Sequence, residues 1–174
     1  MIEDEYYAYI TASLNSSVVK PERGSVLMSI IAPHLELSSH KDDPPEVPEG
    51  FSVLKIELPD LRLVYNAKAG KAYYCDTMFR DRLSENGAMK VRQFFKRTFK
   101  NAYRTFMDGY TESQRDDQSQ AAAYTAMLRV KSGTVAFLLQ YHIDIDEKLI
   151  TRLTRDWYRH TERNERNRFS PVLY

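Results

Sequence analysis

FSVLKIELPDLRLVYNAKAGKAYYC, residues 51–75, is the stretch that decides the fold. Val53, Lys55 and Glu57 alternate with Leu54, Ile56 and Leu58, and Leu61, Leu63 and Tyr65 alternate with Arg62 and Val64. A period of two belongs to strands with one buried and one wet face. Pro59-Asp60 interrupts the alternation, NAKAGK supplies turn residues, and KAYYC returns as a partner strand. A small antiparallel sheet follows from that order.

Upstream, YYAYITASL is too short for its period to separate helix from strand, whereas SVLMSIIAPHLEL reads as strand. Between it and the sheet, SSHKDDPPEVPEG at 38–50 carries three prolines and a closing glycine, the composition of an exposed loop. Downstream of Cys75 the pattern turns helical. Ser84, followed by Glu85, caps a helix expected to reach about Met107, with Gly109 placed to end it. TESQRDDQSQ at 111–120 separates it from a second helix in DDQSQAAAYTAMLRV. Gly133 interrupts, and TVAFLLQYHI is a buried element of either type. Asp144 and Glu147 have the spacing of a capping box ahead of a last helix at 145–166.

Strands first and helices second, without βαβ alternation, predict an α+β fold: a small antiparallel sheet in the N-terminal part packed on a helical C-terminal part. The expected organisation is a strand-rich 1–75, a helical 76–168 and a C-terminal arm at 169–174. A chain of 174 residues accommodates these as one compact domain.

Charge is distributed unevenly. Residues 1–75 hold eleven acids against seven Lys or Arg, and residues 76–174 hold thirteen against eighteen, within a net charge of +1. The concentration is KVRQFFKRTFKNAYRTF, 90–106, with six basic residues and no acidic one. At about 100° per residue, Val91, Phe94, Phe95, Phe99, Ala102 and Phe106 share an arc of about 140°, with Thr98 and Thr105 among them. That arc reads as the core face. Lys90, Arg92, Lys96, Arg97, Lys100 and Arg104 occupy the opposite arc, with Tyr103, Met89 and Met107 interspersed. Three like-charged pairs at i,i+4 stand on that face, where each costs a few tenths of a kcal/mol.

Two sources of negative charge answer such a row. Phosphate is one: lysines and arginines along a helix track a nucleic-acid backbone with little sequence preference, and Tyr103 offers a ring for stacking. The expected binding residues are Lys90, Arg92, Lys96, Arg97, Lys100, Tyr103 and Arg104. Carboxylates are the other, from Glu112, Asp116 and Asp117 of this chain, from a protein partner or from a second copy. An assembly subunit joined through charged helix faces and the arm is therefore the alternative function, the apolar Phe169, Val172, Leu173 and Tyr174 wanting a partner. A second basic set, Arg152, Arg155, Arg159, Arg163 and Arg166, reads as a salt-bridged surface, with Asp156, Glu162 and Glu165 to neutralise it.

The motifs of nucleotide-cofactor, metallopeptidase and serine-hydrolase chemistry are absent, and Gly70-Lys71 has Tyr65 where a Walker loop needs its first glycine. His142, Asp144, Asp146 and Glu147 have spacing suited to a divalent ion, but the same letters serve as helix caps. No catalytic residue, metal or cofactor is expected, and the function is read as non-enzymatic. Cys75 alone forms no intrachain disulfide and reads as a small core side chain. With neither a basic leader before an apolar run nor a stretch of 18 apolar residues, the expected setting is cytoplasmic, away from membranes.

Overall fold

The computed structural model describes residues 1–36, 46–59, 64–66, 71–73, 82–113 and 122–169, and within them the chain is mixed α+β. Its contacts divide it into two units, Met1–Arg97 and Thr98–Tyr174. Most of the expected 38–50 loop, Cys75, residues 114–121 and the arm beyond Phe169 lie outside the described residues.

In the first unit, β1 (Ile2–Glu3) leads directly into α1 (Asp4–Leu14). Buried Tyr6, Tyr9 and Ile10 recur at three- and four-residue steps, so the run whose period was ambiguous is helix. It stops where Asn15 takes φ 48°, with Asn15 N–H bonded to the Ala12 carbonyl and Ser16 N–H to that of Thr11. This is the Schellman pattern, in which asparagine tolerates the left-handed region. Next come β2 (Val18–Val19), α2 (Val26–Ile31), a 3₁₀ turn (Ala32–His34) and β3 (Leu35–Glu36).

SVLMSIIAPHLEL, expected as strand, is therefore mostly helical. The Ser25 hydroxyl accepts the Met28 N–H at 3.2 Å, and Leu27, Met28 and Ile31 form one buried helical face. A local cap outweighs the β preference of a short apolar run.

The remaining strands are β4 (Phe51–Ser52), β5 (Lys55–Ile56), β6 (Val64–Asn66), β7 (Lys71–Tyr73) and β8 (Arg82–Leu83). They pair two by two: β1 with β4, β3 with β8 and β6 with β7 antiparallel, and β2 with β5 parallel. The hairpin read at NAKAGK is present, with Val64 opposite Tyr73 and Asn66 opposite Lys71. A turn closed by Phe51 N–H on the Pro48 carbonyl delivers β4 to β1. Its Gly50 sits at φ 78°, where a side chain would be strained.

Three helices follow: α3 (Glu85–Ser113), α4 (Ala122–Gln140) and α5 (Glu147–Phe169). The Ser84 hydroxyl accepts the Gly87 N–H at 3.1 Å, as expected of its cap. Gly109 does not end α3. One exposed glycine costs a helix only about 1 kcal/mol, and packing of Met107 and Tyr110 on either side carries the helix through it. Gly133 does not interrupt α4 either. A methyl there would stand 2.8 Å from Tyr110 Cδ1 and 2.9 Å from Met107 Sδ, so the missing side chain lets α4 approach α3 closely.

The second unit's core is built around Phe137, which is fully buried and meets the rings of Phe99, Tyr103, Phe106 and Tyr141 at centroid distances of 5.6, 5.2, 5.5 and 4.9 Å. Leu138, Leu149, Leu153 and Trp157 complete it. After α4, His142 takes φ 53° and buried Ile143 donates its N–H to the Leu138 carbonyl, another Schellman ending. The cap of α5 is Asp146, whose carboxylate accepts the Leu149 N–H at 3.2 Å. The helix thus begins two residues later than the Asp144 spacing implied. Among the described residues, no helix is long and apolar enough to cross a membrane.

Candidate nucleic-acid interface

The residues singled out on α3 fall into three environments. Toward its start Lys90, Lys96 and Arg97 are exposed, and the two lysines make light local contacts. Lys90 Nζ donates to His34 Nε2 at 2.9 Å, and Lys96 Nζ lies 5.8 Å from the centroid of the Tyr6 ring, within cation–π range. Arg92 is half-buried, its Nε lacking a hydrogen-bond partner among the described residues.

Further along, the positive charge is answered. Lys100 Nζ reaches Asp156 Oδ1 at 3.3 Å, and Arg104 grips the same carboxylate with Nε and a terminal nitrogen, each at 3.1 Å. The Asp156 side chain is only 18% exposed and that of Arg104 29%, so the forked pair is partly withdrawn from water. An acid answering Lys100 and Arg104 is thus on α5; of the sequence neighbours, Asp116 and Asp117 lie outside the described residues.

Tyr103, expected as a stacking ring, is buried in the core, and its hydroxyl lies 2.8 Å from Thr134 Oγ1. The Thr134 hydroxyl itself donates to the Val130 carbonyl at 2.8 Å, so its single proton is spent there and Tyr103 is the donor. Burial above all pushes the phenol up to about 12; the Thr134 hydroxyl beside it works against this, and Asp156 and Tyr158 add to it. The correction has a geometric cause. Residues four apart on a helix are offset by about 40°, so the buried stripe Val91, Phe95, Phe99, Tyr103, Met107 drifts round α3. By Tyr103 it has entered the arc assigned to charge, while Thr98 and Thr105, assigned to the core, are exposed.

On α5 the opposite happens. Turning Asp156 toward Lys100 and Arg104 removes one of the three carboxylates expected to neutralise the arginines of its own helix; Glu162 is exposed, and the Glu165 side chain lies outside the described residues. Lys148, Arg155, Arg159 and Arg163 are exposed along one side of α5, and no carboxylate among the described residues stands within ion-pair distance of them. By helical spacing these four share an arc of about 80° and run for about 22 Å. A recess of about 540 Å³ lies against this ridge, lined by Glu147, Lys148, Thr151, Arg152, Arg155 and Arg159. The arginine spacing was visible in the sequence; the direction of Asp156 was not, although its position beside Leu149 and Leu153 on the wheel was the available signal.

His142 has a backbone task, as the left-handed residue that ends α4, and Asp146 is a cap. Among the described residues, no three His, Cys, Asp or Glu side chains are grouped to hold a metal ion. No protein-family model, curated protein or solved structure matches this chain.

Proposed function

We propose that the protein binds nucleic acid without catalysis, contacting phosphates with little sequence preference through the exposed ridge of α5. The observation that carries the reading is the row Lys148, Arg155, Arg159 and Arg163, without a neutralising carboxylate among the described residues while Asp156 is committed to Lys100 and Arg104. Four cations on a rigid helix give attraction and a track for a backbone. They lack the fixed pairing to base edges that sequence readout needs. The reading goes with a cytoplasmic setting, where a single cysteine stays reduced.

The test is fluorescence anisotropy against labelled DNA and RNA at several salt concentrations. Contact with about four phosphates gives a slope of log affinity on log salt of about −3 for single strands. Loss of that binding in Arg155→Glu/Arg159→Glu is the expected result; unchanged affinity rejects the ridge. A second reading, assembly of copies, is favoured by the exposure of Leu128 (44%) and Leu139 (59%) on α4. If copies join there, Leu128→Ser/Leu139→Ser lowers the mass seen by light scattering.

A further inference from the structure

The sequence offered Tyr103 as the ring on which a base would stack, and the fold takes that ring into the core. Another aromatic stands where it is needed. Tyr158 is 39% exposed on α5, three residues beyond Arg155, four before Glu162 and seven beyond Thr151. Side chains three, four and seven residues apart share one side of a helix. Tyr158 therefore continues the line of Glu147 and Thr151 that edges the recess, and flanks the ridge of Lys148, Arg155 and Arg159.

That arrangement combines the two ingredients of single-strand recognition. The first is a positive track for the backbone. The second is an accessible ring beside it, which any base can stack on because every base has a π face. A duplex presents phosphates to such a ridge but keeps its bases stacked on one another, so it gains nothing from the ring. We infer that α5 selects single-stranded over double-stranded nucleic acid, with the backbone along Lys148, Arg155, Arg159 and Arg163 and one unstacked base on Tyr158. This rests on the phosphate-binding reading above and adds to it the strandedness of the ligand.

The test compares the full chain with Tyr158→Ala and Tyr158→Trp, using three probes of equal length: an oligothymidylate, the same sequence paired in a duplex, and an abasic deoxyribose-phosphate strand. Stacking on one base corresponds to about a 5-fold or greater loss of oligothymidylate affinity in Tyr158→Ala. Tyr158→Trp restores it, and all three proteins bind the duplex and the abasic strand alike. Equal, salt-dependent binding of oligothymidylate by wild type and Tyr158→Ala overturns the stacking role while leaving the phosphate reading intact. A loss in Tyr158→Ala that is as large on the abasic strand also overturns it, since the ring then acts through the ridge and not on a base. No binding of any probe by the wild type overturns both readings.

Discussion

Lys100 and Arg104 on α3 and Arg155 and Arg159 on α5 look alike in the sequence: each is a pair of cations four residues apart on a polar helix face. In the fold they differ completely. The first pair converges on one partly buried carboxylate, and the second projects from the surface with no such partner among the described residues. Asp156 makes both conditions at once. By turning to α3 it neutralises one face and exposes the other. A row of like charges thus acquires meaning only when the acids of the whole fold have been assigned.

Exchanging the charges of the outer pair gives the largest effect. Arg155→Glu/Arg159→Glu is expected to fold as wild type but to lose at least a hundredfold in nucleic-acid affinity at low salt, about 2.8 kcal/mol, measured by anisotropy. Removing the shared carboxylate breaks the inner pair. Asp156→Ala leaves two partly buried cations without their acid and should cost about 2 kcal/mol in urea unfolding. Adding Lys100→Ala to that background should cost little more, because the interaction is already gone.

A smaller effect is expected at Tyr103→Phe, about 1 kcal/mol for a buried hydrogen bond whose other partner keeps the Val130 carbonyl. It carries a pH signature. The folded phenol titrates at about 12 against an ordinary value near 10, so the stability from keeping it neutral is complete below pH 10. That stability is lost as pH rises through 12. Wild type should therefore lose thermal stability between pH 10 and 12 more steeply than Tyr103→Phe. Smallest of all, Arg97→Gln, on an exposed position, should change stability by less than about 0.5 kcal/mol.

What could be read from the sequence was local. The Val64–Tyr73 hairpin, the Ser84 cap and the α+β class depend on period and on residues a few positions apart, and each is present. Gly109 and Gly133 were misread because a glycine's meaning in a helix depends on its neighbours in space. One is an exposed residue the helix tolerates, and the other a close approach to Met107 and Tyr110. The α3 wheel failed for a related reason. A single arc drawn through 90–106 assumes a fixed buried direction, whereas the stripe drifts far enough to take in Tyr103 and Met107. The pairing of Asp156 with residues more than fifty positions earlier leaves no trace in local spacing. It decides which helix presents free positive charge.

That division of labour is tested most directly by following the arginine Nε–H resonances while a short oligonucleotide is titrated into the protein. Shifts at Arg155, Arg159 and Arg163 with Arg104 stationary are the predicted result. Movement of Arg104 with the α5 arginines unmoved would place the contact on α3 and contradict it.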